Sequence, residues 1–403
     1  MWNIIYIKNK YGGDFNMRKV YCDNGATSFP KAPGVGDAIK EYVESVGGNV
    51  NRGAYSSALS AGFVVLETRE MLAELFGFDK PENVVFTKNI TESLNTILKG
   101  LLKEGDHVVV SSVEHNAVMR PLVKLEQTRG VTFTRVQCNK VGEIDVKDVE
   151  AAIKEDTRAV VMTAASNVCG TALPIKEIGK ICKEKNVIFI VDAAQTAGVF
   201  EMNMKEMNID ILCFTGHKGL LGPQGMGGFL ITDELVPQVD SFIEGGTGSK
   251  SDEEIQPEYM PDKFESGTPN IPGTYGLNAS LKFIKEVGIE NIHKKEMMLT
   301  ERFIKGMEEI DERFIIGKRD TENRTAVVSL DFVGMDNGII CHELDVNYGI
   351  STRPGMHCAP SAHKTLGTFP QGTVRFSFGY FNTEDDIDYA LNAIKEVIKA
   401  YNE

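Results

Sequence analysis

The feature that most constrains this chain is an alternation. Short, almost wholly apolar runs are separated by stretches whose apolar residues recur every three or four positions. The β-rich runs fall at 83–87, 107–111, 159–163, 187–191, 209–214 and 228–231. Between them lie helical patterns such as Leu94/Ile97/Leu98/Leu101 and Ile175/Ile178/Ile181/Cys182. Strands covered on both faces read as unbroken apolar runs, and parallel strands need crossover helices. The pattern therefore predicts an α/β fold with a largely parallel sheet. Val35, Ile39, Val43 and Val46 keep helical spacing ahead of this region and stop at Gly47-Gly48.

After about Ala279 the character changes to a long helical stretch, strands at 325–332 and 373–378, and a final helix. Thr383 and Asp386 open that helix with capping-box spacing. The expected organisation is a large domain over residues 32–279, with a smaller α+β domain built from 17–31 and 280–403. Residues 1–16 read as a leader that precedes a natural start at Met17, or equally as a real extension, because Gly12-Gly13 is encoded by codons that can spell a ribosome-binding sequence.

Charge and cysteine usage narrow the class. The net charge is −14 and no Lys/Arg run forms a basic tract, so neither nucleic acid nor an anionic membrane is an expected partner. The seven cysteines are scattered with no C-x-x-C pair, which argues against a disulfide framework or a zinc site and for a reducing cytoplasm; no metal is expected. No apolar run approaches the roughly 20 residues of a membrane helix.

Four strand ends carry candidate chemistry. The run 209–214 passes into Thr215-Gly216-His217-Lys218 and then a glycine-rich turn. A lysine just beyond an apolar strand is partly desolvated, which lowers its pKa and makes its amine nucleophilic; an ordinary surface turn would read the same way. Five apolar residues, 187–191, end in Asp192, at the carboxyl end of a strand where ligands bind in open α/β sheets. A pyridoxal ring needs an acid there to keep its nitrogen protonated, although Asp192 fits a helix cap equally well. Thr91 and Ser93 stand in the first turn of a helix that follows a strand, which is either a phosphate seat or a plain cap. His115 lies just past another strand end, where its ring could stack on a cofactor or simply be structural.

Eight segments, taken in order, resemble the class V aminotransferase family of fold-type I pyridoxal-phosphate enzymes, in its cysteine desulfurase and selenocysteine lyase branch. They are 23–28 (DNGATS), 91–95 (TESLN), 114–116 (EHN), 166–170 (SNVCG), 192–195 (DAAQ), 215–218 (TGHK), 264–270 (FESGTPN) and 353–359 (RPGMHCA). The resemblance implies an aspartate aminotransferase-like fold with a seven-stranded-type sheet, and a homodimer. It implies pyridoxal 5′-phosphate held as a Schiff base on Lys218, with Asp192 at the ring nitrogen, Gln195 at the phenolic oxygen and His115 stacked on the ring. Thr91, Glu92, Thr215 and His217 would serve the cofactor and its phosphate, with Thr268 reaching in from the partner subunit. Asn167, Arg353 and Arg375 would face the substrate, Arg375 clamping its carboxylate bidentately. Alternation supports the last assignment, since Val374, Phe376 and Phe378 share one strand face and leave Arg375 on the other; a solvated arginine would give the same pattern.

Cys358 separates the possible reactions. Pro354-Gly355 argues for a loop, and neighbouring Arg353 and His357 would enrich the thiolate. In the desulfurase reading L-cysteine becomes L-alanine and a persulfide forms on Cys358 for transfer to an acceptor protein. If Cys358 were only a small buried filler, the same family offers a selenocysteine lyase, aminotransferase, epimerase or β-lyase. A non-catalytic cofactor-binding module is a third class, without an appended domain to support it. The chain departs from the family pattern at Met356, where relatives often carry histidine, at Asn89-Ile90 in place of Gly-Thr, and in the polar, acidic and shortened segment 245–263.

Overall fold

The computed structural model describes residues 18–50, 53 and 55–403. Residues 1–17, and with them the expected leader and Met17, lie outside the described residues.

Strand β1 (Val20–Tyr21) precedes a seven-stranded sheet of β2 (Val84–Thr87), β3 (His107–Ser111), β4 (Thr132–Val136), β5 (Thr157–Thr163), β6 (Ile188–Asp192), β7 (Ile211–Thr215) and β8 (Gly227–Ile231). The spatial order is β2-β8-β7-β6-β5-β3-β4, and β8 alone runs against its neighbours. This is the mostly parallel α/β sheet that the alternation predicts. Side chains divide between the faces with period two. Val109, Val160, Val191, Leu212 and Phe214 enter one core, while Val110, Val161, Ile190 and Cys213 enter the other.

A second sheet joins β12 (Arg353–Gly355), β13 (Thr373–Ser377), β10 (Val327–Leu330) and β9 (Ile315–Ile316) in that order. Strand β11 (Ile350–Ser351) instead pairs in parallel with β1. The second sheet packs its apolar face, including Val374, Phe376 and Phe378, on the long helix Ile289–Asp311 and the final helix Glu384–Asn402. Thr383 and Asp386 form the capping box that their spacing predicts.

The helix Ile271–Val287 runs continuously across positions 279 and 280. Two expectations are adjusted by the structure. The first helix is α-helical only over Val35–Glu41, and Tyr42–Val46 widens into a π-helical turn before Gly47. Arg353–Gly355, read as loop from its Pro-Gly pair, is a short strand; Pro354 is tolerated because β12 lies at the sheet edge.

Phe376 is fully buried and its ring lies 4.8 Å from that of Phe303. Phe376→Ala is expected to destabilise the protein by about 3–5 kcal/mol, read as a lower urea midpoint with an unchanged denaturant slope.

Candidate active site

The site forms where the parallel strands end. Registers Thr163↔Asp192 and Asp192↔Cys213 put the Asp192 carboxylate at the carboxyl edge of the sheet. Beyond β7 the chain turns through Gly216 and His217 to Lys218. The row continues through Thr215↔Gly227 and Gly227↔Thr87 toward the helix Ile90–Leu101. A Cβ at Gly227 would sit 2.8 Å from Asn89 Cα and 3.0 Å from Phe214 O, so only glycine lets that helix start so close to β7.

Burial sets the charge states. Asp192 is enclosed and its Oδ1 accepts from Ala194 N at 2.9 Å; burial raises its pKa, and Lys218 partly opposes this. Lys218 is half-buried at the cleft, and burial, then Arg375, lower its pKa to about 8. His115 caps the helix Asn116–Arg129 through Nδ1, which accepts from Ala117 N at 3.0 Å. Burial, then Lys218, push its pKa down to about 4. Gln195 donates to Gly25 O at 3.2 Å. Thr215 Oγ1 and His217 Nδ1 are buried without a hydrogen-bond partner among the described residues.

Arg375 ends on the polar side of β13, as the alternation predicts, and is 1% exposed, which excludes a solvated role. Its Nη2 donates to Asp23 Oδ1 at 2.8 Å and its Nη1 to Asn167 O at 3.1 Å, whereas Nε is buried and unpartnered. A Cβ on Gly25 would lie 3.2 Å from the guanidinium carbon, so the segment 23–28 is fitted against this arginine.

Cys358 is exposed, and the other six cysteines are buried, which excludes the buried-filler reading. Arg353 Nη2 lies 3.9 Å from its Sγ. The expected charge on His357 is corrected. Its ring is buried, and burial, followed by Arg375, holds its pKa at about 3, so it brings no positive charge to the thiol.

Lys218, Asp192, His115, Arg353 and Arg375 lie close enough for their charges to act on one another, Asn167 is hydrogen-bonded to Arg375, and Cys358 lies beside Arg353. Among the described residues, neither Thr268 nor Glu92 is hydrogen-bonded to any of these side chains. Thr268 is exposed, on a segment anchored by Glu265, which accepts from Phe86 N and Arg69 Nη2 at 2.7 Å each. Glu92 is engaged as a cap: its Oε2 accepts from Lys88 N at 2.6 Å while Asn89 Oδ1 accepts from its own N–H at 3.0 Å. A carboxylate so placed offers no donor to a phosphate. Thr91 is exposed in the first turn of the same helix.

Sequence reasoning gave no role to Asp23, Glu114 or His363. Glu114 is fully buried, accepts from Ser111 Oγ and from Thr163 N, and burial raises its pKa to about 8. Only its place in the Glu-His-Asn segment signalled it. His363 is likewise fully buried, and its one sequence signal is its spacing of six from His357.

Residues 20–390 match the family described as aminotransferase class-V. A relative named probable cysteine desulfurase from Methanothermobacter thermautotrophicus is 35% identical over 382 residues, covering 94% of each chain. Another of the same name, from Pyrococcus abyssi, is 33% identical over 387 residues, again covering 94% of each. A solved apo structure of cysteine desulfurase from Thermococcus onnurineus NA1 superposes with a TM-score of 0.89 at 34% identity, covering 95% of each chain.

The buried histidines make stability depend on pH. His115, His217 and His363 titrate at about 4 and His357 at about 3, below the ordinary value of about 6.5. The unfolded chain binds protons that the fold refuses, so their contribution is complete above about pH 6.5 and is lost as pH falls toward 4. Glu114 and Glu296, both raised to about 8, act oppositely, losing their contribution as pH rises from about 4.5 through 8. The melting temperature of the cofactor-free protein should therefore peak near pH 6.5 and drop more steeply on the acid side. A melting temperature that does not fall between pH 6.5 and pH 4 would contradict the histidine assignments.

Proposed function

The chain belongs to the class V aminotransferase family, and from that premise we propose that it is a pyridoxal 5′-phosphate-dependent cysteine desulfurase. It converts L-cysteine to L-alanine and carries the sulfur as a persulfide on Cys358. The observation that carries this reading is that a recessed lysine and a buried, incompletely paired arginine both interact with Arg353, which lies beside the one exposed cysteine.

The residues present fit the cofactor. The unpartnered Thr215 hydroxyl and His217 Nδ1 lie at and just past the carboxyl end of β7, where phosphate oxygens would satisfy them. Asp192 would face the ring nitrogen, Gln195 the phenolic oxygen, and His115, held neutral, the ring face. Lys218 would tether the group, and Thr91 would border the phosphate. When bound, the cofactor supplies an electron-withdrawing ring that stabilises negative charge at the substrate Cα.

The chain's own residues do the rest. Arg375, oriented by Asp23 and Asn167, receives the substrate carboxylate on its unpaired Nε edge. Lys218, with its pKa near 8, carries the Cα proton in a range where it can both take and return it. The Cys358 thiolate attacks the substrate sulfur. An S–S bond forms as the Cβ–S bond breaks, Cβ gains a proton, and alanine leaves. A thiol on an acceptor protein then takes the outer sulfur.

We read the active unit as a homodimer. Thr268, exposed on the segment that Glu265 anchors, would serve a second copy, and Leu59, Phe63 and Leu66 form an exposed apolar stripe on the helix Ser56–Leu75 that a second copy would cover. Seven free cysteines support a cytoplasmic setting. Among the described residues no helix is long and apolar enough to cross a membrane.

Purified protein given L-cysteine and a reductant should release alanine and sulfide in equal amounts, and Cys358→Ala should abolish both; pyruvate with ammonia would instead identify a β-lyase. Lys218→Ala should lose the yellow chromophore. Arg375→Lys should raise KM for cysteine by roughly ten- to a hundredfold, the worth of one hydrogen bond between charged groups.

A further inference from the structure

We propose that His363 is a positioning residue for Cys358: together with His357 and Thr368 it forms a buried imidazole clamp that fixes the turn presenting the thiol. The inference rests on Cys358 being the nucleophile of the proposed reaction.

The turn needs holding. His357 and Cys358 are consecutive residues with φ of 48° and 57°. The left-handed region costs a residue with a side chain about 1–2 kcal/mol, and two such residues in succession persist only where the surroundings over-determine them. Gly355, two residues before His357, would relieve the strain if it stood in the turn, but it lies in β12. The chain keeps side chains at both strained positions.

The grip comes from two directions. On the main chain, His357 O accepts from Asn167 Nδ2 at 2.7 Å, Cys358 O accepts from Asn116 N at 2.8 Å, and Met356 O accepts from Ala359 N at 2.9 Å. On the side chains, His357 Nε2 lies 2.9 Å from Arg353 O, His357 Nδ1 lies 3.4 Å from His363 Nε2, and His363 Nδ1 lies 2.7 Å from Thr368 Oγ1.

With both rings neutral, these contacts define the tautomers. Arg353 O can only accept, so His357 Nε2 carries a proton and its Nδ1 accepts. His363 Nε2 must then donate, and its Nδ1 accepts from the Thr368 hydroxyl. One proton arrangement satisfies every polar atom in the chain of contacts. Burial, with Arg353 and Arg375 close to His357, keeps both rings uncharged, in line with their low pKa values.

The clamp therefore ties the Cys358 turn to β12 on one side and to the end of the helix Pro360–Leu366 on the other. It leaves the thiol exposed beside Arg353 with the residues on either side of it buried.

The test uses His363→Ala, His363→Gln and Thr368→Val in the holoenzyme. Glutamine offers an N–H to His357 and a carbonyl to Thr368, so it should restore what alanine removes. Thr368→Val keeps volume and removes one link, which covers the case in which His363→Ala fails to fold. Two readings are taken: the rate at which iodoacetamide alkylates Cys358, located by peptide mass, and the separate kcat and KM for cysteine. His363→Ala and Thr368→Val should slow alkylation and lower kcat by roughly three- to tenfold, about one hydrogen bond, with KM and the visible spectrum of the bound cofactor unchanged. His363→Gln should recover most of both. The clamp is refuted if His363→Gln is no better than His363→Ala, or if the variants change KM while Cys358 alkylates at the wild-type rate. Alkylation is independent of turnover, so a failure of the desulfurase reading, seen as full activity in Cys358→Ala, would be told apart from a failure of the clamp.

Discussion

A surplus of buried positive charge organises this molecule's cleft. Arg375 is almost wholly removed from water, which costs a guanidinium several kcal/mol unless its donors are matched. Asp23 contributes one oxygen and Asn167 one carbonyl, and the Nε–H is left over. In the proposed reaction that unpaired edge would receive the substrate carboxylate. The same cation is among the causes that lower the pKa values of His115, His357 and Lys218. After burial, this arginine is the largest cause for His357 and Lys218, whereas Lys218 and Arg353 weigh more on His115.

That arginine also joins parts of the chain that are remote in sequence. Asp23 lies 352 positions away and Asn167 lies 208 positions away. The Asn167 segment is held against the second sheet by further bonds: Ser329 Oγ donates to Val168 O at 2.7 Å, and Thr325 N donates to Gly170 O at 2.8 Å. Arg324, fully buried, donates to main-chain carbonyls that include Lys318 O and Val327 O at 2.6 Å each. Asn167 therefore braces both Arg375, through its carbonyl oxygen, and the Cys358 turn, through its side-chain amide.

Much of this was legible because its causes are local. Strands β3, β6, β7 and β8 are apolar on both faces and announce themselves, and Lys218 and Asp192 are readable as the polar residues that end two of them. Strand β4 was missed because Thr132, Phe133, Thr134 and Arg135 are not buried, and an edge strand of mixed polarity has no distinctive period. Strand β12 was read as loop because Pro-Gly usually breaks a ladder, and only pairing with β13 across the fold overrides that. The charge of His357 was misjudged for a related reason. Sequence neighbours suggest an imidazolium beside a thiol, whereas burial and two arginines, one of them supplied from another strand, decide the matter. His363 lies only six and five positions from its partners His357 and Thr368, but no residue periodicity announces that the turn between them folds the rings together, and Glu114 depends in part on Thr163, 49 positions away.

The Cys358 turn combines two demands that usually conflict. A sulfur that must be handed to another protein has to be reachable, and reachable cysteines usually sit on loops free to move. Here exposure alternates residue by residue: His357 is 3% exposed, Cys358 is open, and Ala359 is fully buried. The main chain on both sides is hydrogen-bonded to segments carrying Asn116 and Asn167. A thiol held in this way has little reach of its own, because extending it would break buried bonds that cost about 1 kcal/mol or more each. In the proposed reaction the acceptor must therefore bring its own thiol to the mouth of the cleft. In that reading the rigidity of the turn assigns the movement to the partner.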